Sequence, residues 1–394
     1  MTADHVLRVW AEVDLDAVVH NLQVITRLAS PARVMAVVKA DAYGHGAVAL
    51  ARALESAGAA ALGTSTVLEG LTLREAGVRA PIVVLGPVRG EEEEAFDAEL
   101  AVTVVDEEGL RAAAAVGRRL GRPAPVHLKI DTGMTRLGAP AHEVRVLLDR
   151  AAQADLRLEG IFTHLAAAES DPDFTRDQVT RFVPLAEAAR TRFPRILRHA
   201  ANTAGMLTLP EARFEMVRVG LGLYGLLPRL APGAPLDLRP AMSLWSRVVQ
   251  VRDVPAGVTV SYGRTHRTAA PTRIATVAIG YGDGYPRLLS NRGEMLVGGR
   301  RCPVVGHVTM DYTMIDVGPQ DPVAPGDAVM VFGPGLSVHA VAEAASTIAY
   351  EILCGIGPRV YRVYRAGGRV VGYRNQRTAG GVAAAQPLLP PVGR

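Results

Sequence analysis

Lysine occurs at only two positions of this 394-residue chain, Lys39 and Lys129, although lysine and arginine together number 43. Lys39 follows the apolar run VMAVV (34–38) and precedes ADAYGHG. A partly desolvated lysine amine can form an imine with a carbonyl group, which a guanidinium cannot do. Arginine would serve equally well if the position only needed a cation that reaches water. We therefore interpret Lys39 as a residue that carries chemistry.

Lys129 lies in the segment KIDTGMTRLG, seven residues before Arg136. Two cations at the end of one strand repel each other, so we expect an anion beside them. Two interpretations remain open. Either Asp131 pairs with one of the cations, or Lys129 has added carbon dioxide and become a carbamate that contacts Arg136.

Other polar residues follow apolar runs further along the chain. They are His164 in IFTHL, His199, Asn202 and Thr203 in RHAANTAG, and Arg218, Gly220 and Leu221 in MVRVGLGLYG. Glycines after the last strands of a barrel commonly offer backbone N–H groups to a phosphate. A single histidine at a strand end is also a common structural hydrogen-bonding residue.

The C-terminal part of the chain carries tyrosines among glycines. Tyr262 lies in VSYGRTH and Tyr281 in IGYGDGYPR, while Met310 lies in GHVTMDY. Such a tyrosine is commonly a packing residue, but beside a cation it can act as an acid or a base.

Eight short apolar runs position these residues. They are VMAVV, AALG, IVVLG, AVTVV, VHLKI, LEGIF, RILRH and MVRV, all between positions 34 and 219. Alanine-rich segments with a helical period separate most of them, a pattern typical of βα units and a parallel sheet. Eight units predict a (β/α)₈ TIM-type barrel with its chemistry at the C-terminal ends of the strands. An open doubly wound sheet is the alternative.

The pattern changes after the proline-rich segment LLPRLAPGAPLDLRP, beyond which short strand-like segments alternate with turns. We predict a barrel domain over 1–235, a mostly β C-terminal domain over 236–375 and a disordered tail over 376–394.

Composition narrows the function. The chain is 49% hydrophobic and carries a formal net charge of +4 with dispersed arginines, which does not favour nucleic-acid binding. Its two cysteines form no disulfide framework or CxxC pair, and its first residues and apolar runs do not lead us to expect secretion or a membrane span. We expect a cytoplasmic enzyme with no metal, no membrane association and no nucleic-acid partner.

Together these segments resemble the alanine racemases, the pyridoxal-phosphate enzymes that interconvert L- and D-alanine. The motifs AVVKADAYGHG, KIDTGMTRLG, THLA, HAANTAG, MVRVGLGLYGL, VSYGRTH and IGYGDGYPR occur in the family's order. The resemblance runs from position 11 to 318, and it implies a homodimer with shared active sites that supplies D-alanine for peptidoglycan.

The resemblance also implies roles for individual residues. Lys39 would hold pyridoxal 5′-phosphate and act as one catalytic base, and Tyr262 of the other subunit would act as the second base. Arg218 would donate to the pyridine nitrogen. His164 and His199 would orient Arg218 and the ring, and the phosphate would be bound by Tyr43, Thr203, Gly220 and Leu221.

For the substrate carboxylate, the resemblance implies Arg136 and the partner's Met310. Lys129 as a carbamate would position Arg136, and Tyr281 would line the entry to the site. The chain departs from many family members at Pro358, where they have a tyrosine that supports the phosphate. Proline has neither a hydroxyl nor an N–H, so either Tyr361 or Tyr364 replaces that contact or it is lost.

Three alternative functions remain open at this point. A racemase of serine or another amino acid keeps the chemistry and changes the substrate. A barrel protein that binds pyridoxal phosphate without turnover would not need the β domain that carries Tyr262. A fold-related amino-acid decarboxylase would need a catalytic cysteine, and neither Cys302 nor Cys354 lies in a comparable motif.

Overall fold

The structure is a computed structural model that describes residues 7–154, 156–228, 236–320, 322–375 and 383–384. These residues form two compact units. One contains residues 17–42 and 47–239, and the other contains the N-terminal residues up to Asp16, the segment Tyr43–Gly46 and the chain from Pro240 onward. The tail predicted over 376–394 lies outside the described residues, except for Ala383 and Ala384.

The first unit is a nearly closed barrel of eight parallel strands, as the apolar runs predict. Strand β1 (Val9–Asp14) belongs to the other unit. The barrel strands are β2 (Arg33–Val37), β3 (Ala61–Thr64), β4 (Ile82–Pro87), β5 (Leu100–Val104), β6 (Ala124–Lys129), β7 (Leu156–Phe162), β8 (Leu197–His199) and β9 (Met216–Val219). They are hydrogen-bonded in the order β8-β7-β6-β5-β4-β3-β2-β9.

The connecting segments are mostly helices. They are α1 (Leu15–Ala29), α2 (Lys39–Tyr43), α3 (Ala47–Ser56), α4 (Val67–Glu75), α5 (Glu92–Asp97), α6 (Glu107–Leu120), α7 (Val144–Gln153), α8 (Pro172–Arg192) and α9 (Thr203–Thr208). Side chains define several of their first turns. Thr66 and Glu69 form a capping box at α4, and the Asp106 carboxylate accepts from the Gly109 N–H at α6.

The short segment α2 has an uncommon backbone. Ala40, Asp41 and Ala42 have φ values of 50°, 55° and 53°, and Tyr43 also has a positive φ of 53°. Residues with a Cβ rarely adopt this left-handed conformation, which costs roughly 1–2 kcal/mol each. The chain therefore holds a strained turn directly after Lys39, a position where strain is commonly tied to function.

The second unit is mostly β. Its strands are β1, β10 (Met242–Val254), β11 (Thr259–Val260), β12 (His266–Arg267), β13 (Thr272–Val277), β14 (Glu294–Val297), β15 (Arg300–Pro303), β16 (Thr313–Asp316), β17 (Ala328–Phe332), β18 (Tyr361–Ala366), β19 (Arg369–Arg374) and β20 (Ala383–Ala384). Its helices are α10 (Val338–Ala344) and α11 (Ala349–Cys354).

Strand β1 lies inside the main sheet of this second unit. It pairs antiparallel with β10 and parallel with β18. Its Trp10 ring stacks on that of Trp245 with centroids 6.2 Å apart. The first strand in the sequence is thus held by two strands that lie more than two hundred residues later in the chain. Within the described part of the chain, no helix combines the length and the apolar composition needed for a membrane span.

Candidate functional site

Lys39 lies two residues beyond the end of β2, at the C-terminal mouth of the barrel, and its side chain is half-buried. The buried Tyr224 hydroxyl donates to the Val37 carbonyl at 2.7 Å and so fixes the end of the strand. After the lysine, the Glu69 carboxylate accepts from the Ala40 N–H at 2.7 Å. These bonds stabilise the left-handed turn that directs the chain away from Lys39.

Arg218, on β9, is the centre of a buried hydrogen-bond network. Its Nη1 donates to Nδ1 and to the carbonyl of His199, at 3.0 and 2.7 Å. Its Nη2 donates to the carbonyls of Thr163 and Ala200 and to Nδ1 of His164, at 2.7, 3.0 and 3.1 Å. Burial lowers the pKa of Arg218, while five acceptors around the guanidinium favour its charged form. None of these bonds uses Nε, so the Nε N–H has no acceptor among the residues that the structure describes.

The network assigns the protonation of three histidines. Nδ1 of His164 and of His199 must be acceptors because each faces an Arg218 N–H, so the proton of each neutral ring lies on Nε2. Nε2 of His199 then donates to Nδ1 of His127 at 3.0 Å. Burial first, and the Arg218 charge second, hold the pKa of all three rings below the usual value, to about 4 for His127. The rings are therefore neutral at physiological pH.

Lys129 is the last residue of β6 and its side chain is buried, only 5% exposed. Burial lowers its pKa to about 8, helped by the positive charges of Arg218, Arg136 and Lys39 and opposed by Asp131. Its Nζ lies 5.6 Å from the centre of the Phe162 ring. A substantial fraction of this amine is therefore neutral near pH 8, which is the form that can react with carbon dioxide.

The Asp131 carboxylate accepts hydrogen bonds from backbone N–H groups. One carboxylate oxygen accepts from the N–H groups of Gly133 and Thr135, at 2.8 and 3.1 Å. It shapes the loop that leads to Arg136, whose side chain is exposed. Among the described residues, Asp131 forms no ion pair with Lys129 or Arg136 and acts on Lys129 only through space, so the simpler of the two interpretations has no direct contact in its support.

A tight turn follows β9 at the same mouth of the barrel. The Gly222 N–H approaches the Thr203 hydroxyl at 3.5 Å, and a Cβ placed on Gly222 would lie 3.0 Å from the Thr203 methyl group. The Asn202 side chain accepts from the Gly205 N–H at 2.9 Å and caps the start of α9. Thr203 and the turn after β9 therefore lie close together because position 222 is a glycine.

Sequence reasoning missed three residues of this site. His127 lies two residues before Lys129, so strand alternation places both side chains on one side of β6, and this spacing was the available signal. Gln178 is fully buried behind His164, where it donates to the His164 carbonyl at 3.1 Å. Tyr224, which follows β9 and bonds to Val37 of β2, had no sequence signal, since its partner lies 187 residues earlier.

In the second unit, Tyr43 packs against Tyr350 with ring centroids 5.7 Å apart. Burial, with smaller contributions from Tyr350 and Cys354, raises the pKa of Tyr43. The buried Arg362 donates from Nε to the Gly44 carbonyl at 3.0 Å. Tyr43 is therefore a neutral phenol held in a rigid segment.

The same segment bears on the proline at position 358. A Cβ built on Gly46 would lie 1.9 Å from the Tyr364 hydroxyl, so that hydroxyl lies directly against residues 43–46. Tyr361 instead belongs to the cluster around Trp10 and Val363. Of the two tyrosines proposed to substitute near Pro358, Tyr364 is the one beside the Tyr43 segment.

Three further sequence candidates form an exposed group on the second unit. Tyr262 is 74% exposed, Met310 53% and Tyr281 45%. Their loops are joined by backbone bonds, because Tyr281 donates to the Thr309 carbonyl and Gly282 to the Met310 carbonyl, at 3.0 and 2.9 Å. The Ser261 hydroxyl donates to the His307 carbonyl at 2.7 Å and ties in the Tyr262 turn.

The fold and these groups first define a class, the enzymes built from a parallel barrel followed by a mostly β unit. The comparisons with known proteins then give the family. Residues 13–228 match the family model of the alanine racemase N-terminal domain, and residues 241–364 match that of the C-terminal domain. The chain belongs to the alanine racemase family, whose members are isomerases.

Individual relatives agree with this assignment. The alanine racemase of Symbiobacterium thermophilum is 47% identical over 374 residues, which is 92% of this chain and 99% of that protein. The solved structure of alanine racemase from Streptomyces coelicolor A3(2) is 40% identical and matches with a TM-score of 0.87, covering 92% of this chain and 99% of that one. The alanine racemase of Bartonella henselae, 28% identical with a TM-score of 0.84 over 91% of this chain and all of that one, contains covalently bound pyridoxal phosphate.

Proposed function

We propose that the protein interconverts L- and D-alanine with pyridoxal 5′-phosphate as cofactor. The observation that carries the proposal is the buried Arg218 guanidinium, whose Nε N–H has no acceptor among the described residues, on the barrel that carries Lys39 at its C-terminal mouth. The relatives named above support alanine as the substrate. The product would supply D-alanine for peptidoglycan.

The residues present fit the cofactor. Lys39 is the residue that would hold its aldehyde, and Arg218 would donate to its pyridine nitrogen. The turn at Gly220 and Leu221, with Thr203 and with Tyr43, would bind its phosphate. When bound, pyridoxal phosphate withdraws electrons from the substrate and so acidifies its α-hydrogen.

Arg218 would tune this effect. A guanidinium does not give up its proton to a ring nitrogen, so it stabilises less negative charge on the ring than a carboxylic acid would. Neutral His164 and His199 hold the guanidinium from two sides and accept its N–H bonds. A weaker electron sink limits side reactions that need a long-lived carbanion.

Racemisation removes the α-proton on one face and returns a proton to the other, so it needs a base on each side. The Lys39 amine would serve one face. The phenol of Tyr262, supplied by a second copy of the chain, would serve the other. The high exposure of Tyr262, Met310 and Tyr281 supports this arrangement, since a homodimer would cover these apolar side chains.

Arg136 would bind the substrate carboxylate, together with the backbone of the partner's Met310. A carbamate on Lys129 would supply the anion that the cations of this region lack and would position Arg136. Tyr281 would line the entry to the site. The lowered pKa of Lys129, to about 8, supports the carbamate because only the neutral amine adds carbon dioxide.

A chiral assay with added pyridoxal phosphate tests the function. We expect L- and D-alanine to interconvert and reach equal amounts from either side, with L-serine and L-lysine turned over far more slowly. Faster racemisation of serine or lysine than of alanine would replace the proposed substrate. Cofactor binding without turnover of any of these amino acids would contradict the enzymatic proposal.

A further inference from the structure

The N-terminal mouth of the barrel, opposite the end that carries Lys39, opens into a large cavity. Its volume is about 1050 Å³, and its lining residues are the first residues of the barrel strands, such as Arg33, Ala61, Ala101 and Met216. This volume is at the upper end of the range of small-molecule pockets, about 300–1,000 Å³. None of the residues proposed for racemisation lines it.

Small side chains create this space. Barrel interiors are normally filled by layers of bulky branched residues. Here the buried layer nearest the N-terminal mouth contains Met35, Ala61, Val83, Ala101 and Met216. Two of these five positions are alanine, so the layer does not fill the barrel interior and leaves a cavity with apolar walls.

The rim of the cavity is positively charged. Arg33, Arg79 and Arg195 line it, their side chains are exposed, and none of them has a side-chain hydrogen bond or ion pair with any described residue. Other rim arginines are committed. Arg74 donates to four backbone carbonyls, and Arg157 pairs with Glu159 at 2.6 Å. Three guanidinium groups at the rim are therefore available to an external anion.

The inner part of the cavity reaches His127, which is only 2% exposed. Since Nδ1 of this ring accepts from His199, its proton lies on Nε2, which has no partner among the described residues. The cavity thus combines apolar walls and one buried hydrogen-bond donor with a cationic rim.

We propose that this cavity is a binding site for an amphipathic anion, such as a medium-chain carboxylate, with its chain against Met35, Ala101 and Met216 and its head at the arginine rim. The planar guanidinium fork matches a carboxylate, and the apolar walls favour an alkyl chain over a hydrated ion. The proposal does not rest on the racemisation proposed above, although the cavity touches His127, whose Nδ1 accepts from His199 of the Arg218 network.

Decanoate is the probe for the test, with the full-length holoenzyme and methyl-labelled methionine observed by NMR. We expect saturable binding by calorimetry, with shifts of the Met35 and Met216 methyl signals and none for Met310 on the second unit. Decyl glucoside carries the same chain without charge and should bind at least about tenfold more weakly if the rim contributes a few-fold per guanidinium. Acetate and inorganic phosphate should not shift either methionine.

A matched pair of variants tests the rim. Replacing Arg33, Arg79 and Arg195 by glutamine should weaken decanoate binding about tenfold or more. The control replaces Arg27, Arg111 and Arg145 by glutamine, which removes the same charge from exposed arginines that do not line the cavity. The control should bind decanoate as the parent does. Equal weakening in both variants would mean a general charge effect and would overturn the site.

Ala101→Leu tests the walls, because the added side chain fills part of the cavity. It should weaken decanoate binding and leave alanine turnover intact. If this variant fails to fold, the decanoate-induced shifts of the Met35 and Met216 methyl signals in the parent protein test whether the cavity binds decanoate. The absence of shifts at Met35 and Met216 under saturating decanoate, or stronger binding of inorganic phosphate than of decanoate, rejects the proposal.

Discussion

Arg218 donates from Nη1 to Nδ1 of His199 at 3.0 Å, and this single contact fixes the protonation of a row of buried rings. It requires His199 to carry its proton on Nε2, which in turn sets the tautomer of His127. The Arg218 guanidinium and the neutral imidazoles therefore form one hydrogen-bond network. A substitution at Arg218 should alter the protonation of His127, and a substitution at His127 should alter the hydrogen bonds of Arg218.

Arg218→Lys should damage this unit although it keeps the charge. Lysine has three N–H donors and no planar fork, so it cannot satisfy all five acceptors. Each buried acceptor left without a donor costs about 1–3 kcal/mol, so we expect a loss of unfolding free energy of that order in urea and a lower rate of alanine racemisation. Arg145→Lys, at an exposed position, is the control and should change neither. Unchanged stability in Arg218→Lys would contradict the network described.

Lys39→Ala should abolish the visible absorbance of bound pyridoxal phosphate, because it removes the residue to which the cofactor is attached. The rate of racemisation should fall by at least about a thousandfold, because the same substitution also removes a catalytic base. Borohydride reduction of the parent protein should place the cofactor on the peptide containing Lys39. The chain has only one other lysine, Lys129, so mass spectrometry faces two candidate sites. Cofactor found on Lys129 would reject the assignment.

Carbon dioxide should label Lys129 in a pH-dependent way. Its pKa, lowered to about 8, means that the neutral amine increases as the pH rises through 8. At a fixed concentration of dissolved ¹³CO₂, the carbamate signal in NMR should therefore grow from pH 7 to pH 9. Lys129→Arg should lack this signal, because a guanidinium does not form the adduct. A signal that is the same in the arginine variant would come from another amine.

Acetate should partly restore the activity of Lys129→Ala.

Subunit exchange tests the shared site. Lys39→Ala and Tyr262→Phe are each expected to be nearly inactive. If Tyr262 acts in the partner's site, each mixed dimer contains one site with both residues and one with neither. Random exchange makes about half the dimers mixed, so about a quarter of all sites should recover. An inactive mixture after demonstrated exchange would mean that both residues act from one chain. As a control, each variant is mixed with the wild-type protein to show that subunits exchange under the same conditions.

Gly46→Ala should destabilise the Tyr43 segment. Gly46 has φ of +102° and an added Cβ would lie 1.9 Å from the Tyr364 hydroxyl, whereas Gly58 has φ of +91° and open space around it. Both alanine substitutions strain the backbone, but only the first also clashes. We expect Gly46→Ala to lose about 1–3 kcal/mol more unfolding free energy than Gly58→Ala, and to bind pyridoxal phosphate more weakly. Equal losses would indicate that Tyr364 moves aside freely.

The eight barrel strands could be predicted from the sequence because each is a short apolar run and segments with a helical period separate most of the runs. It did not place Val9–Asp14, since the strands that pair with this segment lie more than two hundred residues later and leave no local pattern. Lys39 and Lys129 stood out through composition alone. His127 was overlooked although it lies two residues before Lys129, on the same side of β6. Only the three-dimensional packing shows that Tyr364, and not Tyr361, lies beside the Tyr43 segment.

The short segment Tyr43–Gly46 has a consequence for the order in which the protein matures on the ribosome. Its carbonyl at Gly44 is held by Arg362, a residue 318 positions later in the chain. The barrel strands are complete once residue 219 has been made, but Tyr43 cannot reach its final packing until residues beyond 360 emerge. Of the residues proposed to hold the phosphate, Tyr43 is therefore set in place last, after the residues around Arg362 have been made.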